Sequence, residues 1–151
     1  ENGQLERKFQ PISSNRGTMT VYYSDGTIRS EIEYFKNQVM VWKDYYPNGN
    51  LELWEEYDKS LDYYLIYNFY FMNGNPESTL TIIDKKEKVY NSTEYYINGN
   101  VKAKGKKEWH PSLGGYINAG NWTYYTIDGL ITHTETYLHG KLVETSEEEE
   151  D

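Results

Sequence analysis

The chain has 151 residues with 15 basic and 24 acidic side chains, a formal charge of −9, and no cysteine. This charge disfavours binding to nucleic acid, where affinity comes from Lys and Arg on phosphates, and the lack of cysteine excludes disulfides, thiolate metal sites and cysteine nucleophiles. No apolar run approaches the roughly 20 residues that cross a bilayer. Aromatic residues make up 17% of the chain, so it has large flat side chains to pack but few aliphatic ones.

Residues 1–17 precede any repeated pattern and are predicted to be an N-terminal extension. The first residue is Glu1 rather than Met, so we expect that an upstream segment has been removed, either when the protein was prepared or by processing in the cell. If that segment is a secretory signal, we expect an extracytoplasmic location; the compartment is otherwise open.

From residue 18 to 145 the sequence repeats an aromatic pair followed by Asn-Gly or Asp-Gly. The five copies, repeats 1 to 5, are VYYSDGTI at 21–28, DYYPNGNL at 44–51, FYFMNGNP at 69–76, EYYINGNV at 94–101 and TYYTIDGLI at 123–131. Asn-Gly or Asp-Gly between alternating strands favours a two-residue type I′ turn, in which both residues need positive φ. We therefore expect an all-β chain of five hairpins, about ten antiparallel strands in sequence order, with no long helix.

The turns predict which residues face each other. A two-residue turn at Asp25-Gly26 pairs Tyr22 with Arg29 and Val21 with Ser30. Repeat 5 has one residue more, which predicts a three-residue turn at 127–129 ending in a left-handed glycine.

Strand periodicity divides each aromatic pair between the two faces of the sheet. The second members share one face, the aligned face: Tyr23, Tyr46, Phe71, Tyr96 and Tyr125. The first members lie on the other face: Tyr22, Tyr45, Tyr70, Tyr95 and Tyr124. Because no helix is predicted to cover the sheet, we expect a single curved β-meander with the aligned face concave. A homodimer through an aromatic face or a sheet edge is the alternative.

The unit Tyr-Tyr-x-Asn-Gly-x-aliphatic, followed by a tyrosine eight residues after the glycine at 34, 57 and 137, resembles the bacterial variant of the MORN repeat over residues 19 to about 143. Repeat 3 departs from the pattern at Pro76 and Ile82, and repeat 4 departs at Lys107. The resemblance implies a β-hairpin array. Through proteins labelled antitoxin-like, it also implies a bacterial source and a non-enzymatic role.

Tyrosines interleaved with charged residues are typical of recognition surfaces. We predict a partner-binding surface formed by six aromatic residues: Tyr22, Tyr45, Trp54, Tyr70, Tyr95 and Tyr124. The expected partner is another protein, and the acidic charge favours a basic one such as a toxin. Two alternatives stay open: the rings only cover a thin sheet, or they form platforms for a carbohydrate or cell-envelope ligand.

Lys102, Lys104 and Lys106 alternate with small or aliphatic residues, so their ammonium groups are predicted on one face of a strand. Such a stripe suits an anion or a lipid headgroup. The simpler interpretation is a solvated strand that balances the acidic bulk of the chain.

No pattern in the sequence predicts catalysis, a cofactor or a metal. His110, His133 and His139 are too few and too scattered for a structural metal site, which takes four ligands. The acidic pairs Glu31/Glu33 and Glu55/Asp58 have the spacing of an ordinary solvent face, and no nucleophile elbow or phosphate-binding loop occurs. The acidic run at 146–151 is expected to be a disordered tail.

Overall fold

The computed structural model describes residues 6–147, and in this range every regular element is a β-strand. The strands follow the chain in order and pair antiparallel, as the repeats predicted. They are β1 (Arg7–Ser13), β2 (Arg16–Tyr22), β3 (Ile28–Phe35), β4 (Gln38–Tyr45), β5 (Leu51–Tyr57), β6 (Tyr64–Tyr70), β7 (Pro76–Asp84), β8 (Val89–Tyr95), β9 (Val101–His110), β10 (Gly115–Tyr125), β11 (Ile131–Leu138) and β12 (Lys141–Glu147). The all-β meander of hairpin repeats is thereby confirmed.

The strands divide into two compact units. Unit 1 extends to Asn75 and contains β1 to β6, and unit 2 starts at Pro76 and contains β7 to β12. The expected ten strands become twelve because β1 and β12 flank the repeats. β1 and the start of β2 lie in the stretch expected to be an extension, and β12 reaches Glu147. The rest of the predicted acidic tail, 148–151, lies outside the described residues. No helix among residues 6–147 is long and apolar enough to cross a membrane.

All five glycine turns have the same three-residue loop. In repeat 1 the Gly26 amide donates to the Tyr23 carbonyl at 3.0 Å, and the Tyr23 amide donates to the Thr27 carbonyl at 2.8 Å. Only the glycine of this loop has a positive φ, 87°. The two-residue type I′ turns predicted for repeats 1 to 4 are therefore wrong, because a three-residue loop needs only one left-handed residue. The three-residue loop predicted for repeat 5 is confirmed.

A β-bulge lies beside the loops of repeats 1, 2, 4 and 5, and in repeat 1 it restores the predicted pairing. Near the turn, Tyr22 lies opposite Ile28 rather than Arg29, but Val21 lies opposite Ser30 as expected. Arg29 is the extra residue of the bulge, so it absorbs the shift that the longer loop introduces. Corresponding bulges contain Glu52 in β5, Lys102 in β9 and Thr132 in β11.

Each unit has one face that carries most of its buried side chains, the core face, and an opposite outer face, where Asn68 of unit 1 and Ala119 of unit 2 are also buried. In unit 1 the core face carries Ile32, which is 1% exposed. In unit 2 it carries Leu80, Tyr90, Ala103 and Trp122. A Cβ on Gly105 would lie 2.5 Å from ring atoms of Trp122, so glycine makes room for that ring.

The shared loop reverses the predicted faces of the last aromatic pair. Tyr125 pairs with Ile131 directly beside the loop, the position that Tyr22 occupies in repeat 1. Tyr124 is one residue further from the loop and lies with Trp122 on the core face. Grouping Tyr124 with Tyr22, and Tyr125 with the aligned face, was therefore wrong. The extra residue of repeat 5 does not lengthen its loop relative to the others.

Side chains link successive turns within each unit. The hydroxyl groups of Tyr23, Tyr46 and Tyr96 donate to the carbonyls of Tyr45, Tyr70 and Tyr125 at 2.6, 2.9 and 2.8 Å. Amide groups from the Asn-Gly-Asn turns act in the same way: Asn50 donates to Met72 at 2.9 Å and Asn100 donates to Ile127 at 2.8 Å. The recurrence of the tyrosine and of the Asn-Gly-Asn turn is thus explained by hydrogen bonds between successive turns.

Candidate functional site

The outer face of unit 1 gathers four of the six aromatic residues predicted to bind a partner. Trp54 lies in a row of directly paired residues that crosses five strands: Thr20, Glu31, Lys43, Trp54 and Asn68. Tyr22, Tyr45 and Tyr70 stand on the same face, two residues along from members of this row. All four aromatic side chains are partly exposed.

Tyr45 is held in place by an acidic neighbour. Its hydroxyl donates to Oε2 of Glu31 at 2.6 Å. Burial and this carboxylate raise the pKa of Tyr45 to about 12, so its hydroxyl stays protonated near neutral pH. The ring therefore has a fixed position while part of its surface faces solvent.

Trp54 is covered on one side by a cation. Nζ of Lys43 lies 4.9 Å from the centroid of its ring. In the part of the chain that the structure describes, the buried Nε1 of Trp54 has no hydrogen-bond partner. The outer face also carries Glu31, Glu33 and Glu56 together with the cations of Lys8, Arg16 and Lys43, so charges of both signs lie among its aromatic residues.

In unit 2 the predicted residues do not share one face. Tyr95 and Lys104 lie on the outer face, where Nζ of Lys104 is 5.3 Å from the ring centroid of Tyr125. Lys106 is exposed on the same face, and Lys102 is the exposed bulge residue of β9. The lysine stripe is thus partly engaged with an aromatic ring, and Tyr124 lies on the other side of the sheet.

Tyr124 belongs to a network that the sequence analysis missed. Its ring stacks on His133 with 4.4 Å between centroids, and the hydroxyl of Tyr137 donates to Glu135 at 2.7 Å. Hydrogen bonds from Tyr124 and then Tyr137 lower the pKa of the Glu135 carboxyl. The available signal was a Glu-x-Tyr sequence placed six and eight residues after the turn glycine.

The same Glu-x-Tyr sequence occurs on the core face of unit 1. The hydroxyl of Tyr57 donates to the hydroxyl of Tyr64 at 2.9 Å and lies 3.4 Å from Glu55. Burial raises the pKa of Glu55, and nearby Asp44 raises it further. Among residues 6–147, no group of three His, Asp or Glu side chains could hold a metal ion.

The family model described as MORN repeat variant matches residues 16–37 and 38–59. Each match covers one hairpin and the turn after it: β2 and β3 in the first, β4 and β5 in the second. These two matches support the class of MORN-repeat protein, whose repeats are generally binding modules rather than catalytic ones. No curated protein is significantly similar to the chain.

Proposed function

We propose that this chain is a non-enzymatic protein-binding module that engages a basic partner through the outer face of unit 1, in the manner of an antitoxin or immunity protein. The observation that supports it is that two aromatic rings on this face are held in place by neighbouring side chains. Tyr45 is fixed by Glu31, and Trp54 lies under Lys43, while both rings stay partly exposed. Fixed tyrosine and tryptophan rings lose little conformational freedom on binding and are the usual anchors of interfaces.

Charge supports the choice of a basic partner. The chain carries −9 overall, although Glu31, Glu33 and Glu56 on the outer face of unit 1 are matched there by Lys8, Arg16 and Lys43. The net negative charge of the chain accelerates the approach of a positively charged protein and repels acidic ones. Binding is therefore expected to weaken as salt concentration rises.

A double substitution tests this proposal. Proteins captured by the wild-type chain from its native cells are identified, and the basic ones are purified and titrated against wild type and Tyr45→Ala/Trp54→Ala. We expect the double variant to raise the Kd at least about 30-fold, because one hot-spot aromatic contributes about 2 kcal/mol or more and neighbouring hot spots do not add fully.

Phe9→Ala is the matched control. Phe9 is 61% exposed and lies on the core face of the same unit, opposite Met19. It should leave the Kd unchanged, and circular dichroism should show that all variants stay folded. Equal affinity of the double variant and the wild type for every captured partner would contradict the proposed surface.

A further inference from the structure

The core face of unit 1 contains an open groove of about 420 Å³ beside the glycine turns, within the size range of small-molecule sites. Its lining combines aromatic, aliphatic and charged side chains: Tyr23, Arg29, Asp44, Glu52, Leu53 and Phe69. It lies on the opposite side of the sheet from the tyrosines proposed to bind a protein, so it is a separate feature of the molecule.

Two β-bulges bring the charges to this groove. Arg29 and Glu52 are the bulge residues of β3 and β5, and in a regular strand their positions would belong to the outer face. Bulges commonly redirect a side chain in this way beside binding sites. Neither residue forms an ion pair within the part of the chain that the structure describes, so their hydrogen-bonding groups are free for a ligand.

Asp44 adds an oriented acceptor to the groove. Its Oδ1 accepts hydrogen bonds from the Ser30 hydroxyl at 2.5 Å and from Nε1 of Trp42 at 2.8 Å. These bonds fix the carboxylate, and Oδ2 accepts no hydrogen bond from the described residues. A rigid carboxylate with one free oxygen suits a hydroxyl donor.

The combination of groups selects the chemistry of the ligand. A small anion would meet two carboxylates, and a small cation would meet the guanidinium of Arg29. A neutral sugar ring uses every group: its C–H faces contact Tyr23, Leu53 and Phe69, and its hydroxyls meet both donors and acceptors. We propose that this groove is a saccharide-binding subsite, independent of the protein-binding surface.

The indole N–H of Trp42 gives a local readout because it is bonded to Asp44. Its resonance in ¹H–¹⁵N spectra is followed while maltotriose, cellotriose or chitotriose is added to millimolar concentration. We expect at least one trisaccharide to shift this resonance. Arg29→Gln and Glu52→Gln should each raise the Kd about fivefold to tenfold, the loss expected for a hydrogen bond to a charged group.

Lys102→Gln is the matched control, because it changes the equivalent bulge residue of repeat 4 in unit 2. It should leave the titration unchanged. The proposal is overturned if no trisaccharide moves the Trp42 resonance, or if the control weakens binding as much as the groove variants. Free phenylalanine is added in a separate titration. If it shifts the Trp42 resonance and no saccharide does, the proposal is also overturned, and the groove is assigned to a zwitterionic amino acid.

Discussion

Repeat 2 in unit 1 and repeat 5 in unit 2 place the same three side chains on their core faces. A tryptophan pairs directly with a glutamate, and a tyrosine follows two residues later: Trp42, Glu55 and Tyr57 in repeat 2, and Trp122, Glu135 and Tyr137 in repeat 5. Their distances from the turn glycine are identical. The two trios nevertheless have opposite electrostatic properties.

The difference comes from the groups around each glutamate. Glu135 accepts hydrogen bonds from the hydroxyls of Tyr124 and Tyr137, the second at 2.7 Å, and lies 3.8 Å from His133, so its pKa is lowered. Glu55 is more strongly desolvated, and Tyr57 shares its hydroxyl proton between Tyr64 at 2.9 Å and Glu55 at 3.4 Å, so the pKa of Glu55 is raised. The repeat fixes where a side chain stands, and neighbouring repeats decide its chemistry.

The largest expected difference between the trios concerns the tryptophans. Trp122 is 2% exposed and its Nε1 donates to the Lys106 carbonyl at 3.0 Å, whereas Trp42 is only partly buried. Trp122→Ala should lower the free energy of unfolding by about 3–5 kcal/mol, and Trp42→Ala by roughly half as much. Urea denaturation followed by circular dichroism measures both. Equal losses would show that the two trios are packed alike.

The burial of Trp122 depends on Gly105 in the neighbouring strand. A methyl group there would lie 2.5 Å from the indole ring, so Gly105→Ala should cost about 1–3 kcal/mol. Gly115→Ala is the control, because its Cβ would meet nothing closer than 3.9 Å. If urea midpoints show both substitutions to be equally mild, the ring of Trp122 can move aside and the contact does not limit the core.

The sequence alone predicted the hairpins and most of the strand pairing, but it did not predict the face of Tyr124 or the groove. The Asn-Gly and Asp-Gly signals located the five hairpins that close on a glycine turn, and pairing beyond the bulge followed because loop and bulge offsets cancel, as at Val21 and Ser30. The face of Tyr124 was wrong because composition alone does not distinguish a two-residue from a three-residue loop. The groove was missed because Arg29 and Glu52 reach it only through bulges, which leave no mark on an alternating pattern.

The glutamates should respond oppositely to pH. The lowered pKa of Glu135 stabilises the fold above the usual carboxyl range, and this contribution is lost as pH falls through the folded-state pKa. Glu135→Gln should therefore cost about 1 kcal/mol at pH 7 and almost nothing in acid. The raised pKa of Glu55 favours the fold only at low pH, and this contribution is lost as pH rises through the folded-state pKa.

Glu55→Gln should accordingly be neutral or slightly stabilising at pH 7, and the wild type should approach it as the pH falls. Urea midpoints of the wild type and both variants across the acid range give the comparison. If Glu55→Gln destabilised the protein at pH 7 as much as Glu135→Gln, the contrast between the two trios would be wrong, and a cationic group would have to compensate Glu55.

The smallest expected effect is the change in the pKa of each glutamate when the hydroxyl of its neighbouring tyrosine is removed. Tyr137→Phe removes a 2.7 Å hydrogen bond from Glu135, so the pKa of that carboxyl should rise toward its ordinary value. Tyr57→Phe removes a weaker bond at 3.4 Å from Glu55, whose pKa is already raised and should move further from the ordinary value. Titration of the two carboxyl ¹³C resonances measures both shifts, and the one at Glu135 should be the larger because its lost bond is shorter. A fall in either pKa would mean that the hydroxyl accepts a hydrogen bond from the protonated carboxyl group instead of donating one to the carboxylate.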